Sequence, residues 1–408
     1  MNKIYLDYSA TTPMDKRVLS AMMPYFKDKF GNPSSIHGFG QEAIAGVDKA
    51  REQVAEFLNC DPGEVIFTSG ATEADNLAIK GVIKALKSDG VKKPHIITSS
   101  IEHPAVLEPC RELEKEGVEV TYLPVNSSGV VDVDKFKESI KENTVLVSVM
   151  YVNSEVGSIQ PIREIGKIIN KLNERKLKDW KNAKPAIRGD KPLPVYFHVD
   201  ATQAVNFLNC DVRRNYVDLL SMSGHKIYGP KGVGALYVKS GTPIKPLQLG
   251  GRQENNLRSG TYNVPGIAGL GRAVELLDEK AVENNNRKIA GLRDMLISGI
   301  MENIPDVVLN TDAKNAVPSH ANFSFLGVEG ESILISLDLE GIAVSTGSAC
   351  ASGKLDPSHV LLAMGIKPEA AHSSVRFSLG KTTTEREIKK TVKVLPPIIK
   401  KLREMSPM

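Results

Sequence analysis

The sequence predicts an α/β fold: a mainly parallel β-sheet with helices on both faces, joined to a smaller α+β domain. Between about residues 50 and 240, short β-branched runs alternate with periodic helical segments, which is typical of strands packed between helices. From about residue 264 the pattern changes to a long polar helix (around 266–302), two short strand candidates and a terminal helix. We therefore expect two regions of different organisation.

Seven segments of the first region have the length and β-branched content of buried strands. They are EVIFTS, HIITSS, VEVTYLPV, TVLVSVMYV, VYFHVD, VDLLSMS and GVGALYV. The terminal helix EREIKKTVKVLPPIIKKLREM is expected to be interrupted at Pro396 and Pro397, because proline lacks the N–H that a helix interior uses. The basic stretch 170–194 indicates a solvated helix end and an exposed insertion, with a docking surface as the alternative.

The composition excludes several classes of protein. The chain has 408 residues and a formal net charge of +4, too weak to indicate nucleic-acid binding or an anionic membrane surface. No apolar run reaches the roughly 18 residues of a membrane span, and the N-terminus lacks the apolar core of a signal peptide. The four cysteines are far apart and the eight histidines show no HExxH spacing, so no zinc site or disulfide framework is indicated. We expect a cytoplasmic protein with reduced thiols.

The segment FTSGATEADN (67–76) places a helix start directly after a strand. Free backbone N–H groups and the positive dipole end make a helix start a suitable phosphate site, and Thr72 adds a hydroxyl. The alternative is an ordinary strand-to-helix turn with Thr72 or Ser69 as the helix cap.

Two further candidate residues follow strands. Asp200 ends VYFHVD, where open α/β sheets bind ligands, although it could instead cap the next helix. Lys226 lies in SMSGHKIYGPKG, where glycines and a proline fix the backbone; a surface lysine in a turn is the alternative. A phosphate site, a carboxylate for a ring nitrogen and an amine for an aldehyde are together what pyridoxal 5′-phosphate (PLP) requires. The combination predicts PLP as the cofactor, with Lys226 partly desolvated so that its amine is nucleophilic.

A second nucleophile is predicted in AVSTGSACASGKL (343–355). Cys350 lies there among small and hydroxylic residues without apolar periodicity, which indicates a mobile loop. An exposed loop cysteine is a candidate reactive thiol, and an unreactive thiol is the alternative. Cys60, Cys110 and Cys210 are interpreted as structural or incidental.

These motifs, in this order, resemble the cysteine desulfurases of the NifS/IscS type. The resemblance covers residues 4 to about 407 and rests on LDYSATTP, FGNPSSIH, FTSGATEADNLAIKG, EHPAVLE, HVDATQ, SGHKIYGPKGVGALY, LRSGT, STGSACASG and HSSVRFSLG. It implies a PLP-dependent transferase of fold type I, with a large PLP-binding domain (15–262) and a small domain (1–14 and 263–408) that carries the cysteine loop. It also implies conversion of L-cysteine to L-alanine, with the sulfur transferred as a Cys350 persulfide for iron–sulfur cluster assembly or tRNA thiolation.

The resemblance also implies a role for each matching residue. Lys226 would bind the cofactor aldehyde and move protons, His103 would stack on the ring and shuttle protons, and Cys350 would attack the substrate sulfur. Arg376 would bind the substrate carboxylate, and Asn32 would line the substrate side of the pocket. The other implied cofactor contacts are Ala71, Thr72, Ser223 and His225 at the phosphate, Asp200 at the ring nitrogen, Gln203 at the phenolic oxygen, and Thr261 at the phosphate of the neighbouring subunit of a homodimer.

One position departs from the family pattern, and some alternatives stay open. Ser154 stands where the family has a ring-contacting asparagine, so we expect that contact to be lost or bridged by water. Cys350 is also a candidate ligand of an iron–sulfur cluster. The expected protein partner is an iron–sulfur scaffold or another sulfur acceptor. The alternative functions are another fold type I PLP enzyme, such as an aminotransferase or selenocysteine lyase, and a non-catalytic sulfur-carrier partner.

Overall fold

The structure is a computed structural model that describes residues 3–183, 192–346 and 357–405. Strands and helices are numbered along the chain. The strands are β1 (Ile4–Tyr5), β2 (Val65–Thr68), β3 (His95–Ser99), β4 (Glu119–Leu123), β5 (Thr144–Ser148), β6 (Tyr196–Asp200), β7 (Leu219–Ser223), β8 (Gly234–Val238), β9 (Val307–Leu309), β10 (His320–Phe325), β11 (Ile342–Ala343) and β12 (Ser374–Ser378).

The helices connect these strands. They are α1 (Lys16–Met22), α2 (Pro24–Lys27), α3 (Gly38–Leu58), α4 (Ala71–Ser88), α5 (Pro104–Lys115), α6 (Val133–Ser139), α7 (Ile162–Asn182), α8 (Val212–Asn215), α9 (Val264–Glu275), α10 (Glu279–Asn303), α11 (Gly330–Leu339), α12 (His359–Ala363), α13 (Pro368–His372) and α14 (Glu385–Met405). Among the described residues, none of these helices is both long and apolar enough to span a membrane.

The large sheet confirms the predicted fold class. Its seven strands run in the order β2-β8-β7-β6-β5-β3-β4, and every neighbouring pair is parallel except those of β8, which is antiparallel to β2 and β7. All seven predicted strand segments belong to this sheet. Its strands are almost entirely buried, because helices cover both faces.

The second region differs from the expectation in two elements. The long helix expected around 266–302 is two helices, because Asp278 caps a new helix start by accepting a hydrogen bond from the Ala281 amide. The terminal helix α14 is not interrupted: it runs through Pro396 and Pro397. Its buried side chains pack into the hydrophobic core of the second region. This packing supports the helix where the two prolines cannot donate backbone hydrogen bonds.

Hydrophobic cores pack against both faces of the large sheet. One includes residues of α3 and α9, and the one on the opposite face includes residues of α4 and α5. A further core, called the second core, contains the antiparallel sheet β12-β10-β9, the parallel pair β1–β11 and the buried faces of α10, α11 and α14. The division into domains at 14/15 and 262/263 stays a prediction. Of the stretch 170–194, helix α7 continues to Asn182, and residues 184–191 lie outside the described ranges.

Candidate active site

A cavity of about 900 Å³ lies at the carboxyl ends of β3, β5, β6 and β7. This is the edge at which open α/β sheets bind ligands. Ten of the predicted site residues line it: Ala71, Thr72, His103, Ser154, Asp200, Gln203, Ser223, His225, Lys226 and Arg376. The structure therefore brings together residues that span more than 300 positions of the sequence.

Two predicted residues do not line this cavity, and a third lies outside the described residues. Asn32 and Thr261 are exposed on the surface and do not line the cavity. Cys350 lies outside the described residues, and so does most of its predicted loop. Within the described ranges no group of histidine, cysteine or acidic residues could hold a metal ion.

Lys226 is held in a short 3-10 turn, Gly224–Lys226, that follows β7 directly. Gly224 is required there, because a Cβ atom at this position would lie 2.9 Å from the carbonyl oxygen of Pro230. The Lys226 ammonium donates hydrogen bonds to the carbonyl oxygens of Ser9 (2.5 Å) and Ala10 (2.8 Å). The turn thus directs the amine into the cavity, toward the N-terminal segment of the chain.

The start of α4, where the sequence predicts a phosphate site, lies at the cavity. Its first amides have no partners inside the helix, and Ala71 and Thr72 face the cavity. A Cβ atom at Gly70 would lie 3.8 Å from Ser223 Oγ, so this hydroxyl is next to the helix start. Gly234 lets β8 lie close to the start of α4, because a Cβ atom at this position would lie 2.7 Å from the Cα of Gly70.

Two acidic residues, Asp75 and Asp200, line the cavity close to each other, and only Asp200 was predicted. Asp200 is buried and accepts a hydrogen bond from the Thr202 amide at 2.9 Å. Asp75 is also buried, and neither of its carboxylate oxygens has a hydrogen-bond partner among the described residues. Its Oδ1 lies 3.5 Å from His198 Nε2. Burial, reinforced by the nearby Asp200 charge, holds the pKa of Asp75 well above its usual range.

His103 and Glu102, between β3 and α5, form another part of the cavity wall. His103 caps α5, and its Nδ1 accepts a hydrogen bond from the Ala105 amide at 3.1 Å. Burial lowers the pKa of His103, so its imidazole is neutral at pH 7. Burial likewise raises the pKa of Glu102 to about 8. The wall therefore presents uncharged groups to the cavity at neutral pH.

Arg376 enters the cavity from β12 and is almost fully buried. Its Nη2 donates to Asp7 Oδ1 at 2.7 Å, and its Nη1 donates to the carbonyl oxygen of Ser154 at 3.0 Å. The same carbonyl accepts hydrogen bonds from Ser9 Oγ (2.7 Å) and His320 Nε2 (3.2 Å). Ser154 therefore contributes to the site through its backbone carbonyl, which any residue at this position would supply.

The side chains around the cavity fit PLP. Its phosphate requires hydrogen-bond donors, which the start of α4 and Ser223 provide. Its ring nitrogen requires a buried carboxylate, which Asp200 provides, and its aldehyde requires a primary amine, which Lys226 provides. Gln203 donates to the carbonyl oxygen of Ser9 at 2.9 Å, so its amide is held at the same cavity.

Several residues of the site were missed from the sequence. Asp7 and Ser9 belong to the segment LDYSATTP, which was noted only as a matching motif. Asp75 and Glu102 are acidic residues within helix and loop segments, where carboxylates are ordinarily exposed. The available signal for Asp75 was its position one helical turn after Ala71, on the same side of α4.

The comparisons with known proteins agree with this geometry. The family model described as aminotransferase class-V matches residues 4–178 and 188–391. A protein of Dictyoglomus turgidum named cysteine desulfurase IscS is 49% identical over 405 residues, covering 99% of this chain and 96% of that protein. The chain belongs to the cysteine desulfurases of the aminotransferase class-V family. A human protein named cysteine desulfurase is 46% identical to this desulfurase over 411 residues, 84% of the human chain.

Solved structures show the same relationship for the fold. One titled NifS-like protein superposes with a TM-score of 0.87 at 37% identity, covering 98% of this desulfurase and all of that chain. Another, titled SspA in complex with cysteine, has a TM-score of 0.77 at 36% identity and covers 94% of this desulfurase. The fold type I architecture expected from the sequence is thereby confirmed.

Proposed function

We propose that this desulfurase uses PLP to convert L-cysteine to L-alanine and takes up the sulfur on Cys350 as a persulfide. The observation that carries the proposal is that Lys226, Asp200 and Arg376 line one cavity. An amine for the cofactor aldehyde, a carboxylate for its ring nitrogen and a guanidinium for the substrate carboxylate therefore converge. When bound, the cofactor withdraws electrons from the substrate and weakens its Cβ–S bond.

The cofactor-binding roles follow from the chemistry of the groups around the cavity. Asp200 would keep the ring nitrogen protonated, and Gln203 would donate to the phenolic oxygen. His103 would stack on the ring. The phosphate would be held by Ala71, Thr72, Ser223 and His225. Burial lowers the pKa of His225 to about 4, so at neutral pH its ring is an uncharged hydrogen-bonding group.

Lys226 and His103 are proposed to move protons at the substrate α-carbon. Because His103 Nδ1 accepts the Ala105 amide hydrogen, Nε2 is the ring atom available for proton exchange. With Nδ1 as the acceptor, the neutral imidazole carries its hydrogen on Nε2, so His103 presents a proton donor to the cavity, as a general acid must. Ile101, Met150 and Val152 are buried apolar residues of the same cavity, and they limit the access of water.

Cys350 is the proposed nucleophile. Its thiolate would attack the sulfur of the substrate, so that a sulfur–sulfur bond forms while the Cβ–S bond breaks and L-alanine leaves after protonation. The persulfide would then be passed to an acceptor protein for iron–sulfur cluster assembly or tRNA thiolation. The cytoplasmic location and the alternative role of Cys350 as a cluster ligand stay predictions.

A homodimer is the proposed assembly. Thr261 lies on the surface and outside the cavity of its own chain, as expected of a residue that contacts the phosphate in the neighbouring subunit. Two large apolar side chains within four positions of Asn32 are exposed: Phe30 at 67% and Ile36 at 94%. Together with the exposed Phe26 and Phe39 in the same part of the sequence, they are candidates for coverage by a partner surface.

The proposal is tested by measuring sulfide and L-alanine release from L-cysteine in the presence of a thiol reductant. We expect equimolar products, and we expect Cys350→Ala to lose turnover while Cys60→Ala, a half-buried thiol outside the cavity, retains it. Unchanged turnover in Cys350→Ala would show that another group takes the sulfur. Amino-group transfer to a 2-oxo acid without sulfide would instead identify an aminotransferase.

The cofactor assignment is tested separately by spectroscopy. We expect PLP to give the purified protein a visible absorption band that Lys226→Ala abolishes or shifts. A protein that never acquires this band under reconstitution would favour the non-catalytic sulfur-carrier function.

A further inference from the structure

Asp7 has no part in the function proposed above, yet it contacts the arginine proposed to bind the substrate. Asp7 Oδ1 accepts a hydrogen bond from Arg376 Nη2 at 2.7 Å. Both side chains line the cavity, with 18% of Asp7 and 7% of Arg376 exposed. Arg376 Nε is buried without a hydrogen-bond partner among the described residues. The guanidinium is therefore oriented by its two terminal nitrogens, one held by Asp7 and the other by the Ser154 carbonyl.

The backbone of Asp7 is fixed to the strand that carries Arg376. Asp7 forms a parallel bridge with Ser378, two residues beyond Arg376 on β12. The Ser378 amide donates to Leu6, and the Tyr8 and Ser9 amides donate to the carbonyl and Oγ of Ser378. The carboxylate and the guanidinium consequently share one rigid frame, and their separation is set by β12.

The same segment also holds the other end of the site. We call residues 7–12 the N-terminal arm. Ser9 and Ala10 accept the Lys226 ammonium hydrogen bonds, and Thr12 donates from both its amide and its hydroxyl to the His225 carbonyl. The N-terminal arm therefore links the proposed carboxylate-binding group to the proposed cofactor-binding amine.

We propose that Asp7 is a positioning residue that holds Arg376 in the orientation needed to bind the carboxylate of an amino-acid substrate. This rests on the role proposed for Arg376 above. Each terminal nitrogen of a guanidinium carries two N–H groups, and Asp7 and Ser154 each use one of them. One N–H on each nitrogen remains for a carboxylate, provided that the plane of the guanidinium is fixed. Without Asp7, Arg376 loses a charge-assisted bond and its fixed plane.

The test compares two ligands that differ only in the carboxylate. L-Alanine and ethylamine are titrated into the PLP-loaded protein, and binding is followed by the visible absorption of the cofactor. For Asp7→Ala we expect the dissociation constant of L-alanine to rise about tenfold, which is the loss of one charge-assisted hydrogen bond. Ethylamine, which cannot use Arg376, should bind within about twofold of the parent. The KM for L-cysteine should rise with the L-alanine constant while kcat falls less.

Asp15→Asn is the matched control. Asp15 is also a largely buried carboxylate near the start of the chain, paired with Lys381 at 2.8 Å, but it does not line the cavity. We expect it to leave both dissociation constants unchanged. Asp7→Asn keeps an oxygen acceptor without the charge, should give a smaller rise for L-alanine, and serves in place of Asp7→Ala if that variant does not fold.

Three outcomes would overturn the proposal. Equal weakening of L-alanine and ethylamine binding would indicate general damage to the site. Unchanged L-alanine binding would show that Asp7 does not position Arg376. In the third outcome, Asp7→Ala weakens L-alanine binding by the same factor in the Arg376→Lys background as in the parent. This would show that the two residues act independently. The failure of the proposed function is distinguishable, because it would appear as absent sulfide release in the parent protein, whatever the ligand comparison shows.

Discussion

The buried carboxyl group of Glu102 is predicted to make the stability of the folded protein depend on pH. Its side chain is completely buried, with Ser99 Oγ donating to Oε1 at 2.5 Å and the Met150 amide donating to Oε1 and Oε2 at 2.9 and 3.0 Å. Burial is the largest cause of its raised pKa, and the negative charge of Asp200 adds to it. We expect Glu102→Gln, which keeps an acceptor for Met150 and gains a donor for Ser99, to imitate the protonated side chain.

The direction in which stability changes with pH follows from the pKa of Glu102 in the folded and unfolded protein. The pKa of Glu102 rises from 4.5 in the unfolded chain to about 8 in the folded protein. The folded state thus binds the proton more tightly, and the stability that this provides is complete below pH 4.5 and is lost as the pH rises toward 8. At 1.36 kcal/mol for each pKa unit, the loss by pH 7 is about 3 kcal/mol.

The assay is urea unfolding of the cofactor-free protein at several values between pH 5 and pH 8, followed by circular dichroism. Relative to the parent, Glu102→Gln should gain stability steadily as the pH rises, by about 3 kcal/mol at pH 7. Glu112→Gln, at an exposed carboxylate paired with Lys80, is the control and should not change the pH dependence in this direction. A variant that follows the parent at every pH, or is less stable at pH 8, would refute the reasoning.

Two further predictions concern the cofactor side of the site. Gly234→Ala would place Cβ 2.5 Å from the Met222 carbonyl oxygen and 2.7 Å from the Gly70 Cα. We therefore expect the free energy of unfolding to fall by about 2 kcal/mol and PLP binding, measured by equilibrium dialysis, to weaken. The control Gly291→Ala, in open space on α10, should be neutral or slightly stabilising. Ser154→Asn keeps the backbone carbonyl that accepts the Arg376 hydrogen bond, so we expect the KM for L-cysteine to change less than about twofold. A tenfold rise in this KM would show that the serine side chain itself is needed.

The sequence was sufficient where local pattern and a general rule of sheets applied. The seven strands follow from short β-branched runs, and the meeting of Asp200 and Lys226 follows because both lie at or just beyond the ends of neighbouring strands, β6 and β7. Ala71 joins them because α4 starts at the same edge. Each of these predictions needed only the residues of one segment and its place in a βαβ order.

The sequence was insufficient where distant residues meet or packing overrides propensity. Asp7 and Arg376 are 369 positions apart, and no pattern in either segment indicates the pair. The buried state of Asp75 is set by the sheet beneath α4, which local composition does not reveal. Helix α14 passes through two prolines because its buried face packs into the second core. Residues 184–191 and 347–356, including Cys350, stay predictions.

The bond between Asp7 and Arg376 has a consequence for biosynthesis. Translation delivers the arginine 369 residues after the aspartate. The large sheet, with β6 and β7, is complete well before then. A growing polypeptide can therefore assemble the binding site for the cofactor early, whereas the pocket for the amino acid is finished only when these two distant segments meet.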